Sequence, residues 1–137
     1  MNVRHSGDPL DAIFSDLLKK SKNSISPIYD MVLIDEAQDF PSSFFETIYY
    51  LTKTSEESTQ KRIIWAYDEF QSLTDIKIKE PEELFGKTSD GLPNVHNTIL
   101  EGEYKGNIKK DFVLPNSYRN PRIMKYSPFD RPVVTQI

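Results

Sequence analysis

The spacing of apolar residues along the chain predicts an alternation of helices and strands. Between residues 9 and 20, apolar side chains recur three and four positions apart, which predicts an amphipathic helix with Asp8 as its cap and Pro9 in its first turn. Residues 31–34 form a continuous apolar run that stops at a group of acids, which predicts a strand buried on both faces.

The next segments repeat this alternation. A helix is predicted from Pro41 to about residue 52, and a second apolar strand at residues 62–67, in which we expect Trp65 to face the core. A strand, a helix and a strand in this order form a βαβ unit, so we expect a parallel sheet. Later signals are weaker and predict the following: a loop with a short helix at 75–90, short strands at 95–100 and 111–114, a short helix at 121–124 and an extended tail at 127–137.

Composition narrows the possible chemistry. The chain of 137 residues has no cysteine, which excludes disulfides, thiolate zinc sites and a cysteine nucleophile. Its two histidines are too few for a histidine-rich metal site. A bound metal would need oxygen ligands, which favour magnesium, calcium or manganese. The sequence begins without an apolar leader and has no apolar run long enough to cross a membrane, so we expect a cytoplasmic protein without membrane contact.

Charge is distributed unevenly along the chain. The formal net charge is -4, yet residues 104–126, called the basic segment below, contain six lysines or arginines and one aspartate. This segment is either an ordinary solvated surface or a face that contacts phosphate groups.

Two acids, Asp35 and Glu36, directly follow the first predicted strand. Ligands of open α/β sheets bind at the carboxyl ends of the strands, so Asp35 could hold a magnesium ion and Glu36 could take a proton from an attacking water. Taken alone, the pair fits a strand that simply ends in a polar loop better than it fits a catalytic site. With Asp39 it also allows a metal-dependent nuclease, although the lysine expected near such acids is not found.

Three motifs in order resemble those of UvrD/Rep-like superfamily 1 DNA helicases. Residues 35–39 read Asp-Glu-Ala-Gln-Asp and match the Walker B motif of that family, DEAQD. Residues 67–73 are similar to motif III, GDxxQSIY, and residues 114–120 to motif IV, LxxNYRS. The resemblance covers residues 28–122. It implies a partial RecA-like P-loop NTPase domain, with a parallel sheet and flanking helices, over residues 1–126.

The resemblance also implies a function and a set of site residues. The function is that of a fragment of an ATP-dependent DNA helicase or translocase motor, with Mg²⁺ and ATP as cofactors of the complete motor and single-stranded or duplex DNA as its partner. The implied roles are magnesium coordination by Asp35, base catalysis by Glu36, γ-phosphate contacts by Gln38, Gln71 and Arg119, and a nucleotide contact by Asp68.

The sequence departs from the family in three respects. Tyr67 replaces the glycine of motif III, and Thr74 replaces its aromatic residue, so a base-stacking contact is not expected there. The phosphate loop, G-x-x-x-x-G-K-[ST], is not present in the 137 residues. The one similar string, Gly86-Lys87-Thr88, follows motif III instead of preceding motif II, and Pro81 stands where the first glycine belongs.

We therefore expect the parent motor to be an ATPase and the isolated chain to be inactive unless the missing helicase segments are supplied in cis or in trans. The alternative is a non-catalytic helicase remnant that binds a partner or nucleic acid. The sequence leaves open whether the segment is an excised piece, a truncated gene product or part of a split protein. It also leaves open whether the substrate is DNA or RNA, the direction of translocation, the biological pathway and the oligomeric state.

Overall fold

A computed structural model describes residues 7–67, 79–113 and 133–136. The helices of this part of the chain are α1 (Pro9–Ser21), α2 (Ser42–Leu51) and α3 (Pro81–Leu84). Its strands are β1 (Val32–Ile34), β2 (Ile63–Tyr67), β3 (Glu103–Tyr104), β4 (Ile108–Lys109), β5 (Asp111–Val113) and β6 (Val133–Gln136). Short 3₁₀ helices occupy Lys22–Ser24, Ala37–Asp39 and Asn97–Leu100. The chain is thus mixed α/β, and within the described residues no helix has the length and apolar character needed to cross a membrane.

Helix α1 begins where its sequence signals predict. The Asp8 side chain accepts a hydrogen bond from the backbone N–H of Leu10 at 2.9 Å, and Pro9 occupies the first turn. The helix packs on α2 through an edge-to-face contact between Phe14 and Phe44, whose ring centroids are 5.3 Å apart. Only part of its apolar stripe is covered, since Ile13 stays 62% exposed.

The sheet contains the predicted parallel pair, but it is not parallel throughout. Strands β1 and β2 pair in parallel, with Ile34 opposite Trp65, which confirms the βαβ unit. The order is β1-β2-β6-β5, and β6 is antiparallel to both of its neighbours. The expectation of a parallel sheet is therefore correct for the pair β1–β2 and wrong for the pairs β2–β6 and β6–β5, because β6 runs opposite to the other three strands. Its residues were expected in the extended tail at 127–137; they are extended, and they form part of this sheet.

One face of the sheet carries the core. The side chains of Ile63, Trp65 and Tyr67 alternate along β2 and are each at most 5% exposed. They pack against Phe45 of α2 and against Phe85, which follows α3; the centroid of Phe85 is 5.3 Å from that of Trp65. The prediction that Trp65 lies in the core is confirmed.

The opposite face of β1 is open. Leu33 is 70% exposed, while its neighbour Ile34 on the core face is 5% exposed. The expectation that this strand is buried on both faces is therefore wrong, because the helices of the described chain pack on one side of it. A continuous apolar run shows that both faces of a strand can be buried, but it does not show whether other elements of the fold cover both faces.

The segment after α3 folds differently from its prediction. The sequence predicts a strand over residues 95–100, but Asn97–Leu100 form a 3₁₀ helix. Reciprocal hydrogen bonds connect this helix to α3: the Glu82 N–H donates to Asn97 Oδ1 at 3.1 Å, and the Asn97 N–H donates to Glu82 Oε1 at 3.2 Å. These side chain–backbone bonds replace the ladder that a strand would need.

Candidate functional site

Residues 35–39, called the acidic turn below, leave the sheet at the carboxyl end of β1. The turn is fixed to the core by Ala37, which is 2% exposed, while Asp35 is exposed and Glu36 is half-buried. The 3₁₀ helix Ala37–Asp39 then leads through Pro41 into α2. Because β2 is parallel to β1, its carboxyl end at Tyr67 lies at the same edge of the sheet.

Glu36 has a backbone conformation that is rare for a residue with a side chain. Its φ is 51° and its ψ is 48°, in the left-handed region. A non-glycine residue in this region costs on the order of 1 kcal/mol or more and persists only when its surroundings impose it. The sequence gives no sign of this conformation, since glycine, asparagine or aspartate would be the usual choice.

Three hydrogen bonds involve Glu36 in this conformation. Its N–H donates to Asp35 Oδ1 at 2.9 Å, and its carbonyl oxygen accepts from the N–H of Asp39 at 3.0 Å. The side-chain amide of Gln38 donates to Glu36 Oε2 at 2.6 Å. Residues 35, 36 and 38, which the sequence places in one motif, are thus connected to one another in space.

The carboxylate of Asp35 fits one kind of magnesium site. Within the described residues, no group of three or more His, Cys, Asp or Glu side chains could hold a metal ion, so an all-protein cage is not formed there. Magnesium keeps several water ligands and is usually bound by one or two carboxylates together with substrate phosphates. Asp35, exposed at a strand end, fits this second arrangement.

The other three residues expected at the site, Asp68, Gln71 and Arg119, lie outside the described residues. Asp68 follows in sequence directly after Tyr67, the last residue of β2. Their roles therefore stay predictions from the motifs.

Tyr67 lies at this edge of the sheet, and the burial of its hydroxyl was not predicted from the sequence. It stands where the family has glycine, and the structure places its ring in the core at 5% exposure. Its hydroxyl is buried and has no hydrogen-bond partner among the described residues. Burial raises the pKa of Tyr67 to about 12; the neighbouring Trp65 side chain moderates this rise without reaching hydrogen-bond geometry. The alternation of Ile63, Trp65 and Tyr67 in the sequence was the available signal.

The string Gly86-Lys87-Thr88 forms one side of a tight hairpin, which the sequence did not predict. The N–H of Thr88 donates to the Leu92 carbonyl at 2.7 Å, and Lys87 pairs with Pro93 across the hairpin. Gly86 has a φ of +74° and lies against Glu46 of α2. The backbone N–H of Thr88 is thus used inside the hairpin instead of facing a phosphate group.

The described part of the basic segment, residues 104–113, contains most of the small hairpin β3–β4 and all of strand β5. Lys105 and Lys109 are exposed on the hairpin, while Lys110, just beyond it, is half-buried and lies 5.5 Å from the centroid of the Tyr104 ring. These lysines lie on a folded surface, which is compatible both with an ordinary solvated surface and with a face that contacts phosphate groups.

Comparison of the chain with models of known protein families, with curated proteins and with solved structures finds no match.

Proposed function

We propose that this chain is a segment of the ATP-hydrolysing motor of a DNA helicase or translocase of the UvrD/Rep-like superfamily 1, with a partial RecA-like fold. The observation that carries the proposal is the acidic turn. It combines the motif sequence Asp-Glu-Ala-Gln-Asp with a position at the carboxyl end of a strand in a parallel pair, where open α/β sheets bind ligands.

The backbone of Glu36 supports a functional origin for this turn. A strained conformation at a strand end that faces a ligand edge is typical of sites in which side-chain position matters more than local stability. In the proposed motor, Glu36 accepts the proton of the attacking water, and its position is set by the left-handed turn and by the Gln38 amide 2.6 Å from its carboxylate.

Gln38 has a second role in this proposal. Since its amide group is bonded to the proposed base, a contact between Gln38 and a γ-phosphate would change the position or orientation of Glu36. The hydrogen bond therefore offers a direct physical link between sensing of the nucleotide and activation of the water.

Asp35 would hold Mg²⁺, which in such enzymes neutralises the charge on the phosphates of ATP. Asp35 also accepts the Glu36 N–H at 2.9 Å, so the residue proposed to bind the metal helps to fix the proposed base. We propose further that Asp68, Gln71 and Arg119 complete the site, with Arg119 stabilising the charge that develops on the γ-phosphate.

A chimaeric helicase tests the proposal. Residues 28–122 replace the matching segment of a UvrD/Rep-like helicase that supplies its own phosphate loop, and phosphate release is measured with and without single-stranded DNA. We expect DNA-stimulated turnover, and we expect Glu36→Gln in the same chimaera to reduce it by about 10²-fold or more, as loss of a general base does.

The control is ATP binding to the chimaera, which shows that the motor is assembled. A chimaera that binds ATP and DNA normally but does not hydrolyse ATP would contradict the proposal and favour the alternative, a helicase remnant that acts only as a binding module. The isolated chain should neither hydrolyse ATP nor bind it tightly, because its sequence lacks the loop whose N–H groups and lysine supply most phosphate contacts.

A further inference from the structure

A cleft lies at the opposite edge of the sheet from the acidic turn. This cleft, called the cationic cleft below, has a volume of about 350 Å³. Its walls are the last turns of α2, residues 59–61 before β2, residues 94–99 and Lys110. Residues 59–61 precede β2, and α2 runs from the acidic turn towards them, so the cleft lies at the amino ends of the parallel strands. Its volume is within the range of small-molecule sites.

The charge of the lining is unlike that of the whole chain. Acidic residues outnumber lysines and arginines by 21 to 17 in the sequence, yet Lys61 and Lys110 line the cleft beside His96, and none of the described residues that line it carries a carboxylate. Glu82, whose Oε1 lies 3.6 Å from His96 Nδ1, stands outside the lining. The lining therefore has the charge that an anionic ligand requires.

Two contacts hold the ammonium group of Lys61 in place in the wall of the cleft. This group donates to the carbonyl oxygen of Tyr49 at 2.6 Å and lies 4.0 Å from the centroid of the Tyr49 ring. Partial burial lowers the pKa of Lys61, and none of the ion pairs among the described residues includes it. A partly desolvated cation without a counter-charge is costly to the fold and gains from an anion that enters the cleft.

The remaining groups indicate the type of anion. Hydroxyl groups of Thr59 and Thr98 line the cleft together with the ammonium groups of Lys61 and Lys110, a set of donors that suits an anion with more than one negative charge and several acceptor oxygens. A phosphate monoester has three terminal oxygens and a charge of about -1.5 to -2 at neutral pH. The Tyr49 and Ile99 side chains supply an apolar wall for the organic part of the ester.

We propose that the cationic cleft binds a small phosphate monoester with an apolar or aromatic organic group. The phosphate lies against the ammonium groups of Lys61 and Lys110, and the organic group lies against Tyr49 and Ile99. This site is separate from the proposed nucleotide site, since the two lie at opposite edges of the parallel strands, and each can fail without the other.

Titration of the full chain with phenyl phosphate, followed by amide chemical shifts in NMR spectra, tests the proposal. We expect saturable binding with a dissociation constant of about 1 mM or lower, with shifts concentrated at residues 59–61 and 94–99. Inorganic phosphate should bind more weakly because it lacks the ring, and benzoate should bind more weakly because it lacks the third oxygen.

Lys110→Gln should weaken binding of phenyl phosphate by about tenfold, which is the effect of losing one charged hydrogen bond. The matched control is Lys109→Gln, which removes the same charge from an exposed neighbour outside the cleft and should leave the affinity within twofold. Lys61→Gln should weaken binding at least as much as Lys110→Gln, and its amide spectrum reports whether it is folded.

Three results would overturn the proposal. Titration without saturation would show that the cleft has no specific affinity for the ester. Equal losses in Lys109→Gln and Lys110→Gln would show diffuse attraction to the surface. Benzoate binding as tightly as phenyl phosphate would show that phosphate is not what the cleft selects.

Discussion

Replacing Gly86 by alanine should destabilise the protein by more than the usual cost of a side chain in a left-handed turn. Gly86 follows α3 with a φ of +74°, and a Cβ atom built on it would lie 2.6 Å from Cγ of Glu46 and closer still to its carboxyl carbon. Glu46 belongs to α2, so this contact is the place where the turn and the helix approach each other.

Two costs add in the Gly86→Ala variant. The left-handed backbone costs an alanine roughly 1–2 kcal/mol. The methyl group also forces the Glu46 side chain to move away from Lys22, whose Nζ is 2.9 Å from Glu46 Oε1 in a pair with side chains 34% and 20% exposed. Loss of this partly buried, charged hydrogen bond costs about 1 kcal/mol more. We expect a total of about 2–3 kcal/mol in the free energy of unfolding.

Urea denaturation followed by far-UV circular dichroism measures this difference, and Gly91 supplies a matched control. Gly91 lies in the same hairpin with a φ of +79°, and nothing lies within 4 Å of the position of its Cβ. Gly91→Ala should therefore cost only the backbone term. In a Glu46→Ala background, where the obstructing side chain is removed, the cost of Gly86→Ala should fall to that of Gly91→Ala.

Equal losses of stability in Gly86→Ala and Gly91→Ala, measured in the otherwise unchanged protein, would refute this reasoning. Such a result would show that Glu46 moves aside freely and that the ion pair with Lys22 contributes nothing to the fold.

Three further predictions concern a helix end, a buried phenol and the proposed motor. Asp8→Ala should lower the free energy of unfolding by about 1 kcal/mol in urea denaturation, because it removes the side chain that caps α1; no change would mean that the cap is not used in solution. Between pH 10 and 12, Tyr67 keeps its proton in the folded state and loses it in the unfolded state, so stability should fall as the pH rises, by roughly 2–3 kcal/mol. Tyr67→Phe should remove this part of the decline and, at neutral pH, should cost little, because the hydroxyl has no hydrogen-bond partner in the part of the chain that the structure describes; an unchanged decline in the variant would assign it to other groups. In a complete motor that contains this segment, Arg119→Ala should reduce DNA-stimulated ATP turnover by on the order of 10³-fold while Arg122→Ala does not, and full recovery at saturating DNA would remove Arg119 from the site.

Local signals predicted the parts of the fold that depend on neighbouring residues. The Asp8 cap and Pro9 determine the start of α1, and the alternation of Ile63, Trp65 and Tyr67 determines which face of β2 is buried. The parallel pairing of β1 and β2 followed from the helix between them, because a short βαβ connection leaves few other arrangements.

Features that depend on distant parts of the chain were not predictable in this way. The exposure of Leu33 depends on what covers the second face of the sheet, and the direction of β6 depends on where the chain returns to it. The 3₁₀ helix Asn97–Leu100 depends on hydrogen bonds to Glu82, fifteen positions from Asn97, which no periodicity records.

The candidate site, too, was predictable only in part from the sequence. The motif sequence identified residues 35, 36 and 38 as a group, and the structure brings them together through hydrogen bonds. The left-handed conformation of Glu36 was not predictable, because no glycine marks it. The cationic cleft was not predicted, because Lys61 and Lys110 are 49 residues apart in the chain: Lys110 lies in the basic segment, but Lys61 belongs to no recognisable motif.

The position of Trp65 gives the protein a built-in fluorescent reporter. It is the single tryptophan of the chain, it is 1% exposed, and its ring meets Phe85 edge to face. Its emission should therefore be blue-shifted and resistant to quenching by acrylamide in the folded protein. Because Phe85 belongs to the segment after α3, detachment of that segment alone would admit quencher to the indole while the circular dichroism of the helices stays unchanged. Fluorescence and circular dichroism recorded on the same sample would then distinguish local opening beside β2 from unfolding of the whole domain.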